Sequence, residues 1–319
     1  MTIGNFDGVH RGHQALLAQV RSAADRLNLP ACVMTFEPHP REFFAPHFAP
    51  ARISNQRDKL EALSESGIDR VIVEHFNSSF AKRTPEQFVK EILVDSCHVR
   101  WIMVGEDFRY GTQRAGDLAS LQAAGRRYGF EVDALAVVTD NGEGGVRVSS
   151  SAVRAALAAG DLERAQQLLG HRYFISGHVV HGRKLGRALG FPTANIRPLT
   201  RLPRFGQAQL PNRPRTAVTG IFVVQAHGIG QGPWPGVASI GVRPTVDDSG
   251  RVLLETHLFD FDQDLYGRVI RVEFLKKLRD EEKYGDVGTL KSAIAEDVRQ
   301  AREYFATHPS DRQSANSSS

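Results

Sequence analysis

The sequence predicts two domains: an α/β domain built on a parallel sheet, then an antiparallel β-barrel or sandwich that ends in a helix. Three observations support this. Apolar runs alternate with amphipathic segments in the first half, short strand-like runs separated by Gly and Pro fill the second half, and 319 residues suffice for two ordinary domains. The pattern changes near Leu169–Tyr173. We therefore expect domains at 1–170 and 171–307, followed by a disordered tail at 308–319.

The first half predicts a parallel sheet covered on both faces. Buried strands are expected at Ala31–Phe36, Val71–Val73, Trp101–Val104 and Val132–Val138, and helices near 12–28, 55–66, 85–94 and 117–128. Two further helices are expected at 150–159 and 161–169, with Gly160 ending the first and Asp161 capping the second. In such a sheet, ligands bind at the carboxyl ends of the strands.

The second half predicts antiparallel strands. Its strand-like runs are Phe174–Val180, Gly220–Ala226, Gly236–Ile240, Val252–Phe259 and Arg268–Leu275. A final helix near 287–305 carries Leu290, Ile294 and Val298 on one face.

The segment GNFDGVHRGH, residues 4–13, predicts a phosphate site where a short strand gives way to a helix. The first turn of a helix offers unpaired N–H groups and a partial positive charge, which suit an anion. Gly8 and Gly12 let the backbone come close to a ligand, and His10 and His13 supply hydrogen-bond donors. A glycine-rich turn with two surface histidines is the less favoured interpretation.

The start of the chain looks short for this arrangement. Only Thr2 and Ile3 precede Gly4 after the initial Met1, which is too little for the strand that should lead into the loop. We therefore expect Met1 to be an internal or truncated start.

Composition excludes several classes of protein. Cys32 and Cys97 have neither CxxC spacing nor a His cluster, which argues against a disulfide scaffold or zinc site and favours a cytoplasmic location. The net charge of +4 divides into −2 over residues 1–161 and +6 over 162–319, too mild to indicate nucleic-acid binding. No apolar run approaches the length of a membrane span, and no signal peptide precedes the first motif.

Several motifs, in order, resemble those of the bacterial bifunctional riboflavin kinase/FMN adenylyltransferases, also called FAD synthetases. Besides residues 4–13, they are FEPHP (36–40), GEDFRYGTQRAGD (105–117), VSSSAVRAALAAGD (148–161), GHVVHGRKLGRALGFPTANI (177–196), GVASIGVRPT (236–245), LETHLFDFDQDLYG (254–267) and LRDEEKY (278–284). The resemblance implies a Rossmann-like nucleotidyltransferase domain followed by a six-stranded riboflavin kinase barrel with a C-terminal helix. It implies phosphorylation of riboflavin to FMN and adenylylation of FMN to FAD, each with ATP. The alternative is a riboflavin kinase whose truncated adenylyltransferase domain is inactive.

For adenylyl transfer, the resemblance implies that His10 and His13 hold the ATP phosphates and that Ser149, Ser150 and Arg154 grip them from the other side. Further ATP-binding or phosphate-binding positions in this domain are Gly4, Phe6, Gly8, Gly12, His39, Asp107 and Arg109. The three serines at 149–151 also suit helix capping, which is the favoured interpretation of the serines alone. Arg154, one turn further on, favours a phosphate clamp.

For phosphorylation, the resemblance implies that Glu255 is the general base and that Thr193 and Asn195 bind Mg²⁺ and ATP. Phosphate-binding positions would be Gly182, Lys184 and Gly186, and flavin-binding positions Arg279 and Asp280. Without the resemblance, Glu255 is more simply a solvated strand residue, and the segment Pro192–Asn195 a turn.

Chemistry predicts different residues at the two sites. The riboflavin hydroxyl is a poor nucleophile and benefits from a carboxylate base. The FMN phosphate is already anionic, with a second pKa near ~6, so its site needs donors and positive charge instead. We expect ATP, riboflavin and FMN as partners, Mg²⁺ as the cation, no nucleic acid, no membrane and a transient homo-oligomer.

One stretch departs from the resemblance. Residues 197–216 form a longer insertion than the family has, with five arginines, four prolines and no acid. A disordered surface loop is favoured, and the alternative is a mobile basic flap over ATP or FMN.

Overall fold

The chain divides into two compact units in the computed structural model. The first unit comprises Met1–Pro50 with Lys59–Ser150, and the second comprises Ala51–Asp58 with Ser151–Ser319. The structure describes residues 1–140, 145–182, 186, 190–198, 216–230, 232–242 and 252–313. Residues 199–215, most of the basic insertion, and Lys184 lie outside the described residues, so the alternatives for the insertion stay open.

The first unit contains a parallel sheet, as the sequence predicts. In the described residues it has five strands in the order β3-β2-β1-β4-β5, and every pair is parallel. The strands are β1 Thr2–Ile3, β2 Cys32–Glu37, β3 Arg70–His75, β4 Trp101–Gly105 and β5 Glu131–Leu135. This order puts β1 at the centre, where the loop that follows it leaves the carboxyl edge of the sheet.

The strand that leads into the loop is present and comprises two residues, Thr2 and Ile3. The expectation that Met1 is an internal or truncated start stays a prediction. Thr2 pairs with Val33 of β2 on one side and with Met103 of β4 on the other. The Gly4 N–H then donates to the Met34 carbonyl oxygen at 3.0 Å. A strand with neighbours on both sides obtains hydrogen bonds from two ladders, which stabilises even these two residues.

Helices cover both faces of this sheet. They are α1 Arg11–Leu27, α2 Pro40–Phe44, α3 Gln56–Glu65, α4 Ser78–Ala81, α5 Pro85–Gln87 continuing as a π-helix over Phe88–Ser96, a short 3₁₀ turn at Thr112–Arg114, and α6 Leu118–Tyr128. The apolar face predicted for α1 is buried through Leu16, Leu17, Val20, Ala23 and Ala24. Their 3.6-residue periodicity explains why this helix was predictable.

The second unit contains a closed antiparallel barrel. The strand pattern in the sequence predicted either a barrel or a sandwich, and the structure has the barrel. The strand order around it is β10-β7-β6-β11-β8-β9. The strands are β6 Phe174–Val180, β7 Ala194–Pro198, β8 Gly220–His227, β9 Trp234–Val242, β10 Val252–Leu258 and β11 Val269–Arg279. Helices of this part are α7 Ser150–Ala159, α8 Leu162–Leu169, α9 Val287–Thr307 and α10 Ser310–Gln313.

Contacts group α7 from Ser151 onward and α8 with the barrel, whereas the sequence placed them in a domain ending at residue 170. The physical reason is packing: α8 contacts β11, and Gly160 between the two helices lies against the Lys277 side chain. The tail predicted at 308–319 includes α10, in which Asp311 is buried and pairs with Arg172 at 2.6 Å.

The long C-terminal helix α9 closes an apolar cluster on the outer face of the barrel. Ala301 and Phe305 of α9 are buried against Ile221, Val223 and Val237 of strands β8 and β9, with Phe259 in the same cluster. Phe305 is only 1% exposed. A buried aromatic at one end of a helix fixes that helix on the sheet through the area that it removes from water.

We expect Phe305→Ala to lower the unfolding free energy of the second unit by about 3–5 kcal/mol, because it removes a fully buried ring and leaves a cavity. Urea unfolding followed by circular dichroism would measure this. Lys291→Ala, at an exposed position on the same helix, is the control and should change the value by less than about 0.5 kcal/mol. Equal effects of the two substitutions would contradict the packing role of Phe305.

Candidate active sites

The loop between β1 and α1 has an unusual backbone. Phe6 and Val9 have positive φ angles of 49° and 38°, and Gly8 between them has φ of 81°. Phe6 is fully buried and Val9 is 2% exposed, so packing holds both in place. A left-handed conformation is unfavourable for residues with a Cβ, above all for a β-branched one. The strain lies where the sequence predicts the phosphate site.

The two histidines of this loop stack on each other. Their ring centroids are 3.7 Å apart, with an interplanar angle of 15°. His10 caps α1, because its Nδ1 accepts a hydrogen bond from the His13 backbone N–H at 3.3 Å. A neutral His10 ring therefore carries its proton on Nε2. Gly12 makes the turn possible, since a Cβ there would lie 3.2 Å from the His10 ring and 3.3 Å from the Val148 carbonyl oxygen.

His13 is electrically neutral at physiological pH. Burial lowers its pKa well below the ordinary value, and the nearby His10 ring and Lys59 ammonium lower it further. Its Nδ1 is buried without a hydrogen-bond partner among the described residues. The ring can thus hydrogen-bond to phosphate oxygen but brings no permanent charge of its own.

The predicted phosphate-binding residues of α7, Ser150 and Arg154, both donate hydrogen bonds to backbone carbonyl oxygens. Ser150 is the first residue of the helix, and its hydroxyl donates to the Asp7 carbonyl oxygen at 3.1 Å. Ser149 is half-buried next to it. The Arg154 Nε donates to the Ala51 carbonyl oxygen at 2.6 Å, a contact within the second unit.

The remaining predicted residues of the first unit make local contacts. His39 caps α2: its Nδ1 accepts from the Arg41 N–H at 3.1 Å, while its own N–H donates to Glu42 at 3.2 Å. Asp107 forms an exposed ion pair with Arg147 at 2.6 Å. The exposed Arg109 guanidinium donates to the adjacent Phe108 carbonyl oxygen. Their predicted roles toward ATP stay predictions.

Lys59 is a residue of this region that sequence reasoning missed. It is 6% exposed, and its ammonium donates to the Asn5 carbonyl oxygen at 3.1 Å and to the Thr35 hydroxyl at 3.4 Å. One signal was available. Lys59 lies four residues before the buried Leu63 and so occupies the inner face of an amphipathic helix.

In the barrel, strand pairing brings two of the predicted kinase residues, Glu255 and Asn195, into one row. Glu255 of β10 lies opposite Asn195 of β7 on one side and opposite Ser239 of β9 on the other. Directly opposite residues of neighbouring strands share a face of the sheet. Leu254 and Thr256, which flank Glu255 along the chain, are fully buried, whereas Glu255 is half-buried. Glu255 is therefore on the opposite face from these core residues and is reachable from solvent.

The side chains of Asn195 and Thr193 lie close to the backbone of two glycines, Gly182 and Gly186. A Cβ at Gly182 would overlap with the Asn195 side chain, and a Cβ at Gly186 would lie 3.2 Å from the Thr193 hydroxyl. His257 contacts Pro192, the residue before Thr193: its Nδ1 lies 2.8 Å from the Pro192 carbonyl oxygen. A carbonyl oxygen only accepts, so this Nδ1 carries the proton. His257 lies in one of the motifs found in the sequence, but no role was predicted for it.

The two predicted flavin residues lie at the end of β11. Arg279 makes a bidentate ion pair with Asp297 of α9, at 2.8 and 2.7 Å, and this pairing raises its pKa. Asp280 is exposed and pairs with Lys277. Glu281, which follows them, accepts a hydrogen bond from Ser239 at 3.0 Å and covers Gly241 so closely that a Cβ there would overlap with its carboxylate. Glu281 was not predicted.

The donor set near Glu255 suits a hard divalent cation. Thr193 offers a hydroxyl oxygen and Asn195 an amide oxygen, and hard cations take oxygen ligands. The backbone of Gly182 and Gly186 lies close against these two side chains. Among the described residues no group of three or more His, Cys, Asp or Glu could hold a metal ion. Magnesium bound with ATP keeps several waters and takes phosphate oxygens, so it needs few ligands from protein side chains.

One unit has a parallel sheet with a histidine-bearing loop at the start of a helix, and the other has a barrel with a carboxylate near hydroxyl and amide oxygens. This combination is typical of a two-domain nucleotide-dependent transferase. Family models agree with both parts: the model described as FAD synthetase matches residues 1–152, and the one described as riboflavin kinase matches residues 169–305. The chain belongs to the family of bifunctional riboflavin kinase/FMN adenylyltransferases.

Relatives match over nearly the full chain. The bifunctional riboflavin kinase/FMN adenylyltransferase of Escherichia coli K12 is 47% identical over 305 residues, covering 96% of this chain and 92% of the relative. That of Pseudomonas fluorescens is 48% identical over 301 residues, covering 94% and 91%.

A solved structure titled as a macrolide-efflux protein from Streptococcus pneumoniae superposes with a TM-score of 0.71. It shares 29% identity with this chain and covers 93% of it and 91% of that protein. In the part of the chain that the structure describes, no helix is long and apolar enough to cross a membrane.

The neutral state of His13 predicts a pH effect on stability. Its folded pKa lies below the unfolded one, so below about pH 6.5 the unfolded chain binds a proton that the folded chain excludes. We expect the unfolding free energy to fall by at most about 1.4 kcal/mol per pH unit from this group. Urea unfolding between about pH 7.5 and 5.5 should show a shallower slope for His13→Asn. The exposed His98→Asn control should keep the wild-type slope, and equal slopes for all three proteins would contradict a neutral His13.

Proposed function

We infer that this chain makes FMN and then FAD in two ATP-dependent reactions. In the first, the γ-phosphoryl group of ATP passes to the 5′-hydroxyl of riboflavin, giving FMN and ADP. In the second, the adenylyl group of another ATP passes to FMN, giving FAD and pyrophosphate. Family models for both activities match the chain. The observation that carries the inference is that one chain holds both a half-buried carboxylate beside Asn195 and a histidine-lined loop at a helix start.

Phosphorylation is assigned to the barrel and to Glu255. Glu255 accepts the proton of the riboflavin 5′-hydroxyl as its oxygen attacks the γ-phosphorus and the bond to the β-phosphate oxygen breaks. Asn195 stands opposite on the next strand, so the base and an oxygen ligand are fixed by the same ladder. We assign phosphate contacts to Gly182, Lys184 and Gly186, and flavin contacts to Arg279 and Asp280.

The family uses a divalent metal with ATP. We propose Mg²⁺ as that metal, held by Thr193 and Asn195, because two oxygen ligands suit an ion that keeps waters and takes phosphate oxygens. When bound, the ion would neutralise charge on the transferring phosphate. Thr193 and Asn195 position it, and the contact of His257 with Pro192 keeps their segment in place.

Adenylyl transfer is assigned to the loop of residues 4–13. The phosphate oxygen of FMN attacks the α-phosphorus of ATP and pyrophosphate leaves, so no proton needs to be removed from the nucleophile. The task is to bring two anions together. His10 and His13 donate hydrogen bonds, the start of α1 offers N–H groups, and Ser149, Ser150 and Arg154 complete the proposed clamp. Further contacts are assigned to Gly4, Phe6, Gly8, Gly12, His39, Asp107 and Arg109.

A riboflavin kinase with an inactive first domain is not favoured. The leading strand is present and paired on both sides, and the loop that it supports is packed. Incubating the pure protein with riboflavin, ATP and magnesium should yield FMN and FAD. Formation of FMN without FAD would favour the kinase-only alternative.

For the cellular setting, we propose a cytoplasmic enzyme with ATP, riboflavin and FMN as partners, no nucleic-acid partner and a transient homo-oligomer. Both cysteines are free thiols, and the mild net charge of +4 supports small anionic ligands rather than nucleic acid. We assign adenylyl transfer to residues 1–170 and phosphorylation to residues 171–307.

Glu255→Gln should lower the rate of riboflavin phosphorylation by roughly two orders of magnitude or more, because an amide cannot accept the hydroxyl proton. Adenylylation of supplied FMN should stay at the wild-type rate. Separate assays with riboflavin and with FMN measure the two rates. Loss of both activities would contradict independent sites.

His13→Ala should have the converse effect. It removes a donor and one half of the stacked histidine pair, so FAD formation from FMN should fall by roughly 100-fold, as for loss of one transition-state donor. Riboflavin phosphorylation by the same sample should be unchanged and so reports correct folding. An unaltered rate of FAD formation would remove His13 from the proposed site.

A further inference from the structure

Lys59 is a buried cation at the edge of the sheet where the phosphate loop begins. Its ammonium and the Thr35 hydroxyl both donate to the Asn5 carbonyl oxygen, at 3.1 and 3.2 Å. Thr35 lies near the carboxyl end of β2, and Asn5 is the second residue after β1. The carboxyl ends of neighbouring parallel strands are where open α/β sheets bind ligands. Lys59 is therefore tied to the functional edge of the sheet.

Burial of an ammonium is costly unless the group is paired and hydrogen-bonded. Lys59 is only 6% exposed, and lysine is rarely buried to this extent without partners. The Asn5 carbonyl oxygen and the Thr35 hydroxyl are two of its partners. It is close enough to His13 for its charge to contribute to the lowered pKa of that ring. The titratable groups that act on His13 are His10 of the same loop and Lys59 of α3. Because the His13 ring is neutral, Lys59 supplies fixed positive charge beside it.

Two polar atoms of the same loop point to a polar ligand. The Asn5 Oδ1 and the His13 Nδ1 are both buried and have no hydrogen-bond partner among the described residues. Buried polar atoms are usually hydrogen-bonded, and exceptions often mark functional sites. The cluster of Asn5, His13, Lys59 and Thr35 thus combines a fixed cation, a strained loop and unused hydrogen-bonding capacity.

We propose that Lys59 is a positioning residue for adenylyl transfer: its ammonium fixes the loop through the Asn5 carbonyl oxygen and places a positive charge beside His13. This proposal rests on the proposed function of the first unit. The charge would favour the approach of FMN phosphate to the ATP phosphates, two anions that otherwise repel each other.

The test separates the charge of Lys59 from its hydrogen bond. Lys59→Met removes both, and Lys59→Gln keeps an N–H donor without the charge. Lys82→Met, at an exposed position of the same unit, is the matched control. For each full-length protein, FMN adenylylation, riboflavin phosphorylation and thermal unfolding are measured. The pH titration of the His13 ring is followed by NMR in the same samples.

We expect both Lys59 variants to lose roughly tenfold or more in kcat for adenylylation, with riboflavin phosphorylation within twofold of wild type. The pKa of His13 should rise in both variants, because a neighbouring positive charge is gone; loss of the hydrogen bond to Asn5 alone would not raise it. Lys82→Met should match the wild type in every measurement.

Three results would overturn the proposal: wild-type adenylylation in Lys59→Met, wild-type adenylylation in Lys59→Gln, or an unchanged titration of His13. Should Lys59→Met lose thermal stability, Lys59→Gln and the titration decide. Absence of FAD formation by the wild-type protein itself would instead reject the proposed function.

Discussion

The packing of Phe6 and Val9 in left-handed backbone conformations is the constraint on which the first site depends. Each such residue costs of order 1–3 kcal/mol and persists only when its surroundings over-determine it. Here the determinants are the complete burial of Phe6, the pairing of β1 with both neighbours, and the hydrogen bonds from Lys59 and Thr35 to Asn5. Together they turn the chain sharply enough for His10 to cap the helix that starts at Arg11.

The two units solve different electrostatic problems with different kinds of scaffold. Adenylyl transfer needs donors and positive charge around two anions, and a helix start beside a parallel sheet supplies aligned N–H groups. Phosphorylation of an alcohol needs a base at a fixed distance from the ATP-binding ligands, and a ladder of paired strands sets that distance through its register. A slip of one residue in β10 would put Glu255 on the face of the buried Leu254 and Thr256.

Helices and strands with long, periodic apolar patterns could be predicted with their approximate bounds. The extent of short strands that depend on pairing with neighbouring strands could not. The helix at Arg11–Leu27 follows from its own spacing of Leu and Val, whereas β1 and β7 are strands because of the partners on both sides. The histidines and Glu255 stood out through motifs. The interest of Lys59 and His257 follows from their contacts with residues far away in the sequence, and no local sequence pattern predicts such contacts.

Residues at the end of β11 contact both the C-terminal helix and the strand next to Glu255. The bidentate pair of Arg279 with the buried Asp297 anchors α9 to the barrel, and such a pair is strong because both nitrogens of the fork are used. Two residues later, Glu281 accepts from Ser239, the cross-strand neighbour of Glu255. The Glu281 carboxylate occupies the place that a Cβ at position 241 would take. Since Arg279 and Glu281 are two residues apart, the ion pair that fixes the helix also limits where the Glu281 carboxylate can lie relative to the row that contains Glu255.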